Sequence, residues 1–118
     1  MFNYPYIFMD GGVMLERDFQ SKLIKEIKER FPGSIVLKND PTYIQGIPDL
    51  LILHDNHWAA LECKKNKNAS TRPNQNYYVD KMNAMSYAAI VYPENKEEIL
   101  DGIQKSFESG RDALIPKC

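Results

Sequence analysis

Gly46-Ile47-Pro48-Asp49-Leu50-Leu51-Ile52-Leu53-His54-Asp55-Asn56-His57-Trp58-Ala59-Ala60-Leu61-Glu62-Cys63-Lys64 is the stretch that decides the fold. Two apolar runs flank a polar tetrad at 54–57, the pattern of two strands joined by a tight turn. With Asp55-Asn56 at its centre, position 53 pairs with 58, 51 with 60 and 49 with 62. Asp49 and Glu62 then oppose each other on one sheet face, with Cβ atoms roughly 4.5–5.5 Å apart. Like charges that close repel, and a shared divalent cation removes the cost. The strand's period of two returns Lys64 to that same face and turns the Cys63 side chain away from it. Two carboxylates and an amine therefore stand where a metal and a phosphodiester can meet.

The rest of the chain frames this hairpin. Leu15, Phe19, Leu23, Ile27 and Phe31 recur every four residues and predict a helix over 15–31, stopped by Pro32-Gly33. A short strand is expected over 34–37. Behind a polar loop at 66–71, Pro73 opens a helix that runs to about Met85, with Val79 and Met82 on its apolar side. Residues 88–92 read as a buried strand closed by Pro93. Asn95 and Glu98 have the spacing of a capping box, and Ile99, Leu100, Ile103 and Phe107 give the stripe of a last helix, ended by Gly110. The order is α-β-β-β-α-β-α. Hairpin strands that are apolar on both faces need cover on both. The expectation is an α/β domain with a mixed sheet flanked by helices: an aromatic tail at 1–13, one domain at 14–109, and a tail at 110–118.

A chain of 118 residues has room for one domain with a real core. No apolar run approaches the roughly 20 residues of a membrane helix. The apolar start at 1–9 lacks the basic leader and cleavage site of a signal peptide. Two cysteines, Cys63 in a strand and Cys118 in the tail, predict no disulfide and suit a reducing cytoplasm (a host's, were the protein viral). The net charge of −1 does not advertise nucleic-acid binding. Its distribution is more telling, because Lys64, Lys65, Lys67 and Arg72 follow one another with no acid between them. Such a run either holds a phosphate backbone or is a solvated loop.

Two polar residues fall on apolar faces. On a helical wheel Glu16 lies near the middle of the arc from Leu15 to Ile24, in the first turn, where anions are favoured. It is either a third site carboxylate or a residue of a fraying turn that reaches water. Gln75 aligns with Tyr78, Val79 and Met82 near the start of the second helix. Its amide either orients a water, a phosphate or a lysine, or makes a capping or loop hydrogen bond. His54 and His57 flank the hairpin turn, and with no third ligand at suitable spacing they read as a solvated turn. Met82 and Met85 read as core.

Together these residues resemble the PD-(D/E)XK nuclease superfamily, whose restriction-endonuclease-like core runs αβββαβ. Pro48-Asp49 and Glu62-Cys63-Lys64 match its two defining motifs, Glu16 the glutamate of its first helix, and Gln75-Asn76-Tyr77-Tyr78 the glutamine-tyrosine element of several branches. The stretch Gly46-Ile47-Pro48-Asp49-Leu50 with its short hairpin is most similar to virus-type replication-repair nuclease domains (VRR-NUC) and, more distantly, to Holliday junction resolvases. Relatives carry a glycine between the glutamine helix and the next strand, where this chain has Ser86-Tyr87. The aromatic N-terminus also differs from the basic one of the archaeal resolvases.

The resemblance implies a metal-dependent deoxyribonuclease. Hard oxygen donors suit Mg²⁺ or Mn²⁺. Asp49 and Glu62 are the expected metal ligands, with the Cys63 main-chain carbonyl as a further one and Glu16 completing a second position or holding a bound water. Asp49, Glu62, Lys64, Glu16 and Gln75 form the expected catalytic set, and Lys65, Lys67 and Arg72 hold DNA. A chain this small has little room for a sequence-reading module, so the expected substrate is branched or four-way junction DNA, cut by a homodimer. A nicking enzyme, an exonuclease or a small restriction-type enzyme stays open. So do a non-catalytic DNA- or protein-binding module on the same fold and a structural protein whose hairpin charges are salt-bridged.

Overall fold

A computed structural model describes the backbone of residues 15–114 and the side chains of 15–109. The expected tail at 1–13 and Cys118 lie outside the described residues. Helix α1 (Glu16–Arg30) is followed by β1 (Ile35–Lys38), β2 (Leu50–His54), β3 (His57–Cys63), α2 (Pro73–Met85), β4 (Tyr87–Val91) and, after a single 3₁₀ turn (Pro93–Asn95), α3 (Lys96–Leu114). The strands form one sheet in the order β1-β2-β3-β4. The pairs β1–β2 and β2–β3 are antiparallel and β3–β4 is parallel. A parallel neighbour needs a crossover, and α2 supplies it. The α/β mixed-sheet architecture is the one expected.

The hairpin has the anticipated register: Leu53 faces Trp58 and Leu51 faces Ala60. Asp55, with φ of 56°, makes the turn in the left-handed region, which aspartate tolerates better than most residues. The two sheet faces bury different sets. Leu50, Ile52, Ala59, Leu61 and Cys63 join Phe19, Leu23 and Ile27 of α1 and Leu100, Ile103 and Phe107 of α3 in the larger core. Ala60 and Ala88 meet Val79 of α2 on the other face, with Leu51, Trp58 and Met82 packed around them. Helices α1 and α3 are fastened together by ion pairs from Arg30 to Asp101 and Glu97, and from Lys96 to Glu26 at 2.9 Å.

Several expectations are corrected. Asp55 and Asn56 make the exposed turn as expected, but His54 and His57 beside it are not solvated with it. Phe107 stacks on His54 with ring centroids 5.8 Å apart and packs on His57 at 5.5 Å, while Phe31 packs on both His54 and Phe107. The last helix passes beyond Gly110 to Leu114, so 110–114 are helix and not tail. A glycine inside a helix costs about 1 kcal/mol, which weakens a helix without stopping it. Asn95 does not open a capping box with Glu98. It sits one turn earlier, accepting from the Tyr92 N–H at 2.8 Å and donating to the Ile90 carbonyl. Met85 is 64% exposed and is not core. The α2-to-β4 turn needs no glycine: Ser86 has φ of −150° and its hydroxyl donates to the Trp58 carbonyl.

Candidate active site

The site lies where β2 begins and β3 ends. Asp49 immediately precedes β2, and the register that places Leu50 against Leu61 continues to Asp49 and Glu62. Asp49 is half-buried, and its Oδ2 accepts the Cys63 N–H at 2.8 Å. Glu62 is only 2% exposed and Lys64 only 9%. Lys64 is fixed as an extension of β3, since its N–H donates to the Val91 carbonyl at 2.9 Å.

Gln75 reaches this pair from the first turn of α2. Its Nε2 donates to Glu62 Oε2 at 2.8 Å, and its Oε1 accepts from Lys64 Nζ at 3.0 Å. A carboxylate takes only donors and an ammonium gives only donors, so one amide orientation serves both. The same Oε1 accepts the Arg72 N–H at 3.0 Å, which ties the network to the start of the helix. Gln75 is thus both the capping residue and the orienting residue that its position allowed. Lys64 Nζ stands 3.5 Å from Glu62 Oε2. The other oxygen, Oε1, is buried and has no hydrogen-bond partner among the described residues.

These surroundings shift the carboxyls. Burial, then the Asp49 charge, pushes Glu62 up to about 7, and Lys64 offsets part of the rise. Burial raises Asp49 against the pull of the Cys63 N–H and Lys64. The Cys63 thiol is pushed well up by burial and by the neighbouring carboxylates, so it is no nucleophile.

Glu16 is the first residue of α1 and is exposed. It shares the helix face of buried Leu23 and Ile27, as the wheel predicts, but stands a turn beyond the part of that face the sheet covers. It still belongs to the site's field: partial desolvation and the Asp49 charge raise its carboxyl, opposed by Lys64 and Lys65. Among the described residues no three His, Cys, Asp or Glu side chains gather tightly enough to hold a metal by themselves. The residues nevertheless fit a hard cation. Mg²⁺ commonly takes one or two carboxylates and fills its shell with water, and Glu62 Oε1 is a buried acceptor that meets no donor among the described residues.

A cleft of about 350 Å³ opens beside the carboxylates, lined by Pro41, Gln45, Ile47, Asp49, Glu62 and the first turn of α2 from Arg72 to Gln75. Arg72 is therefore at the site. Lys65 and Lys67 are exposed and line no part of the cleft. The sequence reading missed Pro41, Gln45, Ile47 and Asn74. Gly46 was the available signal: it has φ of +91°, and a Cβ there would lie 2.5 Å from Asn74 Cβ. Its lack of a side chain is what lets the 39–48 loop close on α2.

No helix among the described residues is long and apolar enough to cross a membrane. Neither a family model nor a curated protein matches this chain. A solved structure described as a VRR_NUC domain does, with a TM-score of 0.53 and 22% sequence identity, over 69% of this chain and 92% of that one. The chain thus shares the fold of that VRR_NUC domain.

Proposed function

We propose that the protein is a metal-dependent DNA endonuclease that hydrolyses phosphodiester bonds and selects branched or four-way junction DNA by shape. The observation that carries the proposal is Glu62, a buried carboxylate beside Asp49 and Lys64 with one oxygen unpartnered among the described residues. Asp49, Glu62 and the Cys63 carbonyl would hold Mg²⁺ or Mn²⁺, which when bound neutralises charge on the phosphate and acidifies water. Lys64 orients the attacking water and offsets the negative charge that builds on the phosphoryl oxygens. Gln75 holds the Lys64 ammonium beside Glu62 Oε2. Glu16 adds negative charge at the mouth of the site. Arg72 and the positive end of the α2 dipole favour a phosphate in the cleft. Lys65 and Lys67 add sequence-independent contacts to the backbone. Cutting two strands symmetrically takes two such sites, so the working form is a homodimer.

A second reading has one observation in its favour. The Lys64–Glu62 ion pair and the Gln75 bridge partly satisfy one another without any metal, as a structural network would. Thermal unfolding with and without Mn²⁺ separates the two. The nuclease reading expects stabilisation by the metal and its loss in Asp49→Ala; a structural network expects neither. Incubation in Mg²⁺ with linear duplex, single strand, splayed arm and four-way junction tests the substrate. Cuts confined to the branched substrates support the proposal, and equal cutting of linear duplex refutes shape selection.

A further inference from the structure

We infer that the cleft beside Asp49 and Glu62 is a subsite for a single unpaired nucleotide of the substrate strand, and that the enzyme cuts next to a nucleotide it has taken out of the stack. The inference rests on the nuclease reading and adds to it what enters the site.

The cleft is preformed. The loop that walls it is clasped at its base by Asn39, whose N–H donates to the Asp49 carbonyl and whose Nδ2 donates to the Pro48 carbonyl, both at 2.8 Å. Asp40 turns the loop by accepting from the Thr42 N–H and hydroxyl. At its far end Gly46 presses on Asn74, so the loop and the first turn of α2 form two facing walls. No step of the fold leaves this space to be made by the ligand.

Its size and lining select the ligand. About 350 Å³ is at the low end of the 300–1,000 Å³ range of ligand clefts. That suits one nucleotide and not a stacked base pair. Pro41, Ile47 and Pro73 offer apolar surface to a base face. Gln45 and Asn74 carry amides that make no hydrogen bond among the described residues, and amides match the mixed donors and acceptors of a base edge. Arg72 lines the cleft together with the Asp49–Glu62 pair and supplies a cation for phosphate there. Enzymes that act on a base in the duplex extrude it at the cost of unstacking, and the cost is least where the base is already unpaired. A nucleotide at a branch point meets that condition.

The test places 2-aminopurine beside the expected cut, either paired in a matched duplex or unpaired in a bulge or at a junction. Binding is followed with Ca²⁺ in place of Mg²⁺, and cleavage of the same substrates in Mn²⁺. Among the described residues no aromatic ring lines the cleft, so a 2-aminopurine inserted there escapes quenching by stacked bases. The expected result is at least a threefold fluorescence rise for the unpaired probe, cleavage at least tenfold faster than in matched duplex, and loss of that tenfold preference in Gln45→Trp, read by cleavage because a tryptophan at the cleft would itself quench the probe. Gln45 is exposed at the rim, and a thermal midpoint near the wild-type value shows that variant folded. Glu62-dependent cleavage at equal rates on both substrates overturns the subsite and shape selection together and leaves the metal-dependent nuclease standing; a rise that persists in Gln45→Trp overturns the subsite alone. Absence of both binding and cleavage on every substrate overturns both.

Discussion

Gln75 and Lys64 share one hydrogen bond, from the lysine ammonium to the amide oxygen at 3.0 Å, and the opposite end of that amide donates to Glu62. The bridge spans two elements, the first turn of α2 and the end of β3, so the lysine is positioned by tertiary structure and not by its own strand alone. Gln75→Ala removes the bridge and keeps the Asp49 and Glu62 carboxylates. Losses of groups that orient such ligands typically cost 10–100-fold. We expect kcat for DNA cleavage to fall by that order with circular dichroism unchanged. An unaltered kcat would show that Lys64 needs no such support.

Glu62 makes stability depend on pH, and on the proposed reading metal binding with it. Folded, it keeps its proton to about pH 7; unfolded, it ionises near 4.5. Between those values the folded chain binds more protons than the unfolded one, so metal-free stability falls as pH rises from about 4.5 to 7. The effect is at most on the order of 3 kcal/mol. The raised Asp49 acts in the same direction. A divalent ion competes with these protons. Stabilisation by Mn²⁺ in thermal unfolding should therefore be larger at pH 8 than at pH 6, and the pH-dependent difference should shrink in Glu62→Gln. Equal stabilisation at both pH values would contradict the assignment.

Two glycines with similar backbones separate strain from crowding. Gly33 has φ of +89° with open space around a notional Cβ, whereas Gly46 has φ of +91° and the Asn74 backbone and Cβ within 3.0 Å. Gly33→Ala should cost about 1 kcal/mol, from the left-handed backbone alone. Gly46→Ala should cost about 2–4 kcal/mol, because the loop must also move off α2. Urea midpoints at constant m-value measure the difference.

The hairpin was legible because a period of two, a two-residue turn and a like-charged pair all led to one register. The three-layer arrangement followed from strands that are apolar on both faces. The cleft was not legible. Its lining comes from residues 41–47 and 72–75, brought together by a contact between Gly46 and Asn74 that no local periodicity encodes. Glu16 was read on the right face, yet a helical wheel holds no information on where the sheet stops covering the helix. His54 and His57 were misread for a related reason, since Phe107 and Phe31 arrive from distant elements.

That aromatic cluster sits at the opposite end of β2 from Asp49, so it serves stability and not chemistry. Phe107 is 6% exposed, and removing a buried phenyl ring usually costs about 3–5 kcal/mol. Phe107→Ala should lose that much in urea unfolding while cleavage per folded molecule stays unchanged.

The most direct test of the central claim is the rate of cleavage of a four-way junction in Mg²⁺ and in Mn²⁺ by the wild-type protein and by Glu62→Ala, with circular dichroism confirming that both are folded. The metal-dependent site described above predicts cuts by the wild type that vanish with chelator and are abolished in Glu62→Ala, with most junction binding retained. Undiminished cleavage by Glu62→Ala would contradict it.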